Sequence, residues 1–341
     1  MASAPKLRFG TGTTVRDFSM YGEWLRVAED CGYELLTTGD SQSLWADPFV
    51  SMTVAASRTK RPRLAITVSN PMTRHPAVVA SASTALQQIS RDRFVYGISS
   101  GDSALRNIGV RPSSVDELEE YVTCVQAMCD GRPATYQGQA QQLRWDHRPT
   151  PVWMAAEGPR TLRLAGRIAQ GVVLSNSLTA EAMTRNLGHI AAGAQEAGRS
   201  MDGIEIWCMA NIVPAPTEAE GIEQIRSVLA GTANHVFRFT ASGKGLPDEL
   251  IPKVQELKQR YDSSHHASPE TAAHNAALVD ELGLTSFLAR QSTIAGPIEQ
   301  CAERLHEVAE AGVRGIIVAQ FVPDQLNFMR TFARKVLPSF S

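Results

Sequence analysis

The chain has 341 residues, 43% of them hydrophobic and 20% charged, a globular balance able to bury a large core. Its formal net charge of −2 gives no electrostatic reason to expect nucleic acid or an anionic membrane as partner. No apolar run approaches the ~20 residues of a membrane-spanning helix, and the opening MASAPKLRFG lacks the apolar stretch of a secretory signal.

Short apolar runs alternate with helical patterns along the chain. The runs Leu7–Thr11, Tyr33–Thr38, Arg63–Val68, Arg93–Ile98, Val152–Ala156, Gly171–Leu174, Ile204–Ile212 and Gly315–Gln320 are continuously apolar or β-branched. Strands covered on both faces read this way. Tyr21–Cys31 and Glu299–Ala311 carry apolar residues at helical spacing and stop at Gly32 and Gly312, glycines placed to end a helix before the next strand. Eight strands alternating with helices predict a (β/α)8 (TIM) barrel, with an open doubly wound sheet as the alternative. The whole chain, 1–341, reads as one such domain.

The alternation breaks from about Ala233 to Ser292, after the seventh strand, where no strand pattern appears. A long insertion at that point is expected to be a lid or cover over the barrel mouth. Five cysteines, Cys31, Cys124, Cys129, Cys208 and Cys301, are scattered without a CxxC pair. They read as free thiols of a reducing cytoplasm, with no disulfide frame or metal site expected.

In such a barrel the residues just after each strand build the active site. Here those positions are rich in hydroxyls and glycines and poor in acid–base pairs. Glu157-Gly158-Pro159-Arg160-Thr161 places a glycine, a cation and a hydroxyl where a helix begins. That is either a phosphate cradle or an ordinary capped turn. Gly97-Ile98-Ser99-Ser100-Gly101-Asp102 brackets two serines with glycines, small enough for a flat ring or its tail to approach closely. In Ser69-Asn70-Pro71-Met72-Thr73-Arg74-His75-Pro76, two prolines fix a rigid loop. No GxGxxG opens a helix, so direct nicotinamide binding is not indicated.

The stretches VSNPMTRHPAV, GISSGD, AAEGPRTLRLAG with its GVVL strand, and AGPIEQCAERLHEVAEAGVRGIIV together resemble the bacterial-luciferase-like superfamily. The likeness is to its deazaflavin branch, especially the methylenetetrahydromethanopterin reductases. It implies a flavin or deazaflavin ring in the barrel mouth and a homodimer or higher homo-oligomer. It also implies a non-prolyl cis peptide at Thr67-Val68, pressing on the ring face. The implied roles are Glu157, Gly158, Arg160 and Thr161 at the cofactor phosphate, with Ser99, Ser100 and Asp102 along the ring edge or tail. Ser41, Trp45 and His75 would face the substrate. His235, His265 and His266 are the remaining titratable candidates in the second half of the chain.

Deazaflavin members carry Asp-His after the second strand, where this chain has Asp40-Ser41. Without that histidine the first expectation is a two-component monooxygenase, taking reduced FMN from a separate flavin reductase and using oxygen on a small organic substrate. The alternative is hydride transfer with coenzyme F-420, a deazaflavin. A non-catalytic flavin-binding protein on the same barrel is the third reading.

Overall fold

The computed structural model describes residues 6–237, 242–261, 272–319, 322 and 324–340. His265 and His266 lie outside this range. The strands are β1 (Arg8–Gly12), β2 (Leu35–Thr38), β3 (Arg63–Ser69), β4 (Phe94–Ile98), β5 (Ala134–Tyr136), β6 (Gln139–Gln141), β7 (Val152–Ala155), β8 (Gly171–Leu174), β9 (Glu205–Pro214), β10 (Thr293–Gly296) and β11 (Gly315–Ala319). The helices used below are α1 (Phe18–Asp30), α2 (Pro48–Arg58), α3 (Pro76–Ser90), α4 (Ser103–Arg106), α5 (Val115–Cys129), α6 (Pro159–Ile168), α7 (Ala180–Glu196), α8 (Glu218–Gln224), α9 (Arg226–Phe237), α10 (Ile251–Arg260), α11 (Ala272–Glu281), α12 (Thr285–Ser292) and α13 (Ile298–Glu310).

All eight expected strands form, and they close. Parallel pairing runs β11-β1-β2-β3-β4-β7-β8, and β9 bonds β8 on one side and β11 on the other. This is a (β/α)8 barrel, with β10 added parallel to the upper end of β9. The two glycine stops behave as expected: Gly32 has φ 83° and Gly312 φ 107°, the left-handed region that glycine enters without a Cβ penalty.

Local signals start the helices where the loops must turn. Asp47 caps α2 ahead of Pro48, and Ser114 and Glu117 form a reciprocal capping box on α5. Inside the barrel, Leu35, Ala65, Val95, Trp153, Val173, Trp207 and Ile317 pack as one cluster. A larger cluster joins the outer faces of the strands to the helices around them.

Where it is described, the stretch expected as an insertion is mainly helical, and its layer starts earlier than Ala233, with α8 and α9. Leu229, Ala233, Val236, Val254, Leu257, Leu278 and Leu288 form a hydrophobic cluster of their own, anchored to the barrel through Val213 of β9. Among the described residues no helix is long and apolar enough to cross a membrane.

Candidate functional site

The loops after β2, β3, β4 and β7 stand side by side, because β2 pairs β3, β3 pairs β4 and β4 pairs β7. They meet at a cavity of about 630 Å³ at the C-terminal mouth of the barrel. A smaller recess of about 180 Å³ reaches toward Asp40, Asn70 and Ser99. The two share Trp45, Thr67, Val68, Asp102, Ser103 and His235. Helix α9 forms part of the roof, through Ser227, Gly231 and His235.

The Thr67–Val68 peptide at this wall is cis, as the resemblance implied. Its neighbour on β4 must be glycine: a Cβ at Gly97 would sit 2.1 Å from the Ile66 carbonyl oxygen. Trp45 is held at the wall by its Nε1, which donates to the Gly39 carbonyl at 3.0 Å.

Below the recess lies a buried charge. The Asp40 side chain is fully buried, and its Oδ2 accepts from Ser69 Oγ at 2.6 Å and from Arg74 Nη1 at 2.5 Å. Arg74 uses its other nitrogen on Asp47 at 2.6 Å. Burial opposes the charge of Arg74, yet Asp40 and Asp47 outweigh it and raise the guanidinium above its ordinary value. The second oxygen of Asp40, Oδ1, is buried without a hydrogen-bond partner. So are Glu157 Oε1 and both amide atoms of Asn176, two residues that line the larger cavity. Buried polar atoms in native proteins are nearly always satisfied. These atoms are placed where a bound group could pair with them.

The turn after β7 carries the expected cradle with a different cation. Gly158 caps α6 without a side-chain hydrogen bond, and a Cβ there would make only ordinary contacts, the nearest with Thr161 Oγ1 at 3.7 Å. Thr161 Oγ1 turns back to the Gly158 carbonyl at 3.0 Å. Arg160 points away, exposed, 3.9 Å from Asp116. Lys244 takes that place from the helical layer, its Cε 3.9 Å from the position a Gly158 Cβ would occupy. A helix N-terminus beside an ammonium group suits an anion. Together, the small-residue wall, the orphaned polar atoms and this cradle fit a flat heteroaromatic ring with an anionic tail.

The structure thus brings Trp45, Thr67, Val68, Ser99, Asp102 and Glu157 to one cavity system, with Gly158 and Thr161 at its edge. It does not bring Arg160 there, nor three other expected residues. His75 is exposed, and its Nδ1 accepts from the Ala77 amide at 3.2 Å as the cap of α3. A histidine directly before a helix-opening proline is well placed for that local duty. Ser41 is buried against Ser103, with their hydroxyls 3.2 Å apart. Ser100 offers its carbonyl to the Ser113 amide, away from the lining.

Two groups take places that the sequence reading does not assign to them. Lys244 sits in a Gly-Lys-Gly turn whose flanking glycines, φ 73° and 69°, were the available signal. His235 was one weak candidate among several. The structure sets its Nδ1 2.5 Å from Asp102 Oδ2.

A sequence profile described as luciferase-like monooxygenase matches residues 3–315. The chain is 26% identical to 5,10-methylenetetrahydromethanopterin reductase of Methanopyrus kandleri, with 93% of each chain covered. The structure of the coenzyme F420-dependent tetrahydromethanopterin reductase from that organism superposes with a TM-score of 0.78 at 24% identity, covering 98% of this chain and 100% of the other. An F420-dependent glucose-6-phosphate dehydrogenase of Microbacterium testaceum is 23% identical, with 92% of this chain and 90% of that one covered. A monooxygenase from Streptomyces bottropensis shares the fold with a TM-score of 0.69 at 17% identity, covering 98% and 100%. The profile spans most of the sequence and the barrel carries the site at the expected mouth, so this chain belongs to the luciferase-like monooxygenase family and is an oxidoreductase.

Proposed function

We propose that this chain is a coenzyme F-420 (deazaflavin)-dependent oxidoreductase that moves a hydride to or from a small organic substrate. The observation that carries the reading is the mouth: a cavity of about 630 Å³ against the Thr67–Val68 peptide. It occurs in a chain that aligns over 92% of its length with a relative named as F420-dependent. This reverses the order of the expectations from sequence, which put reduced FMN and oxygen first. The monooxygenase likeness, at 17% identity, bears on the fold alone.

Thr67, Val68 and Trp45 would flank the ring, and Asp40 Oδ1 would meet its polar edge. Gly158, Thr161 and Lys244 would hold the anionic tail. Bound there, a deazaflavin supplies a two-electron hydride donor or acceptor. The protein's own contribution is orientation and a sheltered, mostly apolar wall, roofed by the α9 layer.

Spectroscopic titration of the purified protein with coenzyme F-420 and, separately, with FMN tests the reading. Selective F-420 binding without oxygen uptake supports it. Tight FMN binding with substrate-linked oxygen consumption overturns it in favour of the monooxygenase.

A further inference from the structure

The residue type missing at Ser41 reappears from another direction. His235 lies on α9, in the helical layer, and reaches down to the barrel mouth. Its Nδ1 meets Asp102 Oδ2 at 2.5 Å, and its Nε2 faces Glu157 Oε1 at 3.9 Å. Asp102 uses its other oxygen on Arg106. Arg106 thereby holds the carboxylate while Oδ2 meets the imidazole. All three side chains of the array Asp102, His235 and Glu157 line the larger cavity.

A carboxylate on one ring nitrogen sets the tautomer of a neutral histidine: Nδ1 carries the proton and donates it, and Nε2 keeps its lone pair. Nε2 is then a base at the cavity wall. When it takes a proton, Asp102 balances the new charge on one side and Glu157 on the other. This is what general acid–base catalysis asks of a side chain.

Hydride transfer does not always need such a group. Adding a hydride to a carbon–nitrogen iminium gives a neutral amine with no proton to place. Interconverting an alcohol and a carbonyl compound moves one hydride and one proton together. We infer that His235, positioned by Asp102, is the proton acceptor and donor of this site, and that the substrate is an alcohol–carbonyl pair. The inference rests on the hydride-transfer reading above. In the oxidising direction the carbon gives its hydride to the deazaflavin, the hydroxyl proton goes to His235 Nε2, and the C–O bond becomes C=O. In the reducing direction the same proton returns to the carbonyl oxygen. Asp102 is a positioning residue in this scheme, and His235 the catalytic one.

The test begins without cofactor. Histidine-selective nitrogen NMR on the full chain should show neutral His235 protonated at Nδ1. The Asp102→Asn variant should move the population toward the other tautomer. Among the described residues, Asp102 with Arg106, Glu157, Tyr261 and Lys244 are charged or titratable groups around the ring, and Glu157→Gln reports the effect of the facing carboxylate on the tautomer.

F-420 binding is then measured by fluorescence, and turnover with a panel of short secondary alcohols and their ketones. His235→Asn should bind F-420 as wild type does and lose about 100-fold or more in kcat. Its pH–rate profile should also lose the limb that reports the base. A tautomer indifferent to Asp102→Asn, an unchanged kcat in His235→Asn, or turnover of carbon–nitrogen double bonds with none of alcohols or ketones would each overturn the inference. Failure of the wild type to bind F-420 would instead remove the cofactor reading, and the NMR result would still judge the dyad.

Discussion

Trp153 and Trp207 stack inside the barrel with ring centroids 5.8 Å apart and planes 30° from parallel. Each ring fills space that a glycine on the next strand leaves open. A Cβ at Gly171 would come within 2.5 Å of the Trp153 ring, and one at Gly315 within 2.5 Å of Trp207. The guanidinium groups of Arg63 and Arg8 cover the same rings at 4.9 Å. Replacing Gly171 or Gly315 by Ala should therefore destabilise the fold by about 1–3 kcal/mol through overpacking. Urea denaturation measures it, and an unchanged midpoint in both variants would show that the layer yields.

The same two arginines hold Glu205, at 2.9 Å from Arg8 and 2.6 Å from Arg63. Burial works against ionisation of Glu205, but Arg63 and Arg8 outweigh it and keep its carboxyl below the ordinary 4.5. A depressed folded-state value adds stability that is present above pH 4.5 and is lost as pH falls through the folded value. Glu205→Gln should cost roughly 1–3 kcal/mol at neutral pH. The gap from wild type should close in acid, which paired denaturation curves across that range would reveal.

Arg74 bridges the buried Asp40 and the more exposed Asp47. Arg74→Ala leaves the Asp40 charge buried with Ser69 Oγ still donating to Oδ2, a loss of the kind that costs about 3–5 kcal/mol. Adding Asp40→Asn to Arg74→Ala should recover part of the loss. Calorimetry on the four proteins gives the coupling, and strict additivity would contradict the bridge.

At the cradle, Lys244→Ala should weaken F-420 by roughly 10- to 100-fold, the scale of one charge-assisted hydrogen bond of about 1.5–3 kcal/mol. Arg160→Ala should leave affinity unchanged, since its head group is in solvent. Fluorescence titration of the two variants decides between the cations, and equal losses would mean that the side chains rearrange on binding.

The barrel was legible because its strands are continuous apolar runs long enough to stand out from helix. β5, β6 and β10 were not: they are three or four residues long, and β5 and β6 are largely exposed. The glycine-rich corners could be placed in order along the chain, and parallel pairing of β4 with β7 made them neighbours in space. Which side chain turns inward was harder to read. Arg160 and Lys244 are both cations near glycines, and only the path of the helical layer separates them. His75 looked attractive beside a rigid loop, but its short-range bond to the Ala77 amide holds it outside. Asp102 and His235 are 133 residues apart, so no local spacing announces the pair.

The packed tryptophan layer closes one end of the barrel. The reaction chamber is therefore reached from the opposite end, at the C-terminal mouth. Two ligands sharing a corridor must queue: the one seated deeper boards first and departs last. Steady-state kinetics should accordingly follow a compulsory sequence, with the outer ligand blocking exchange of the inner one when present in excess.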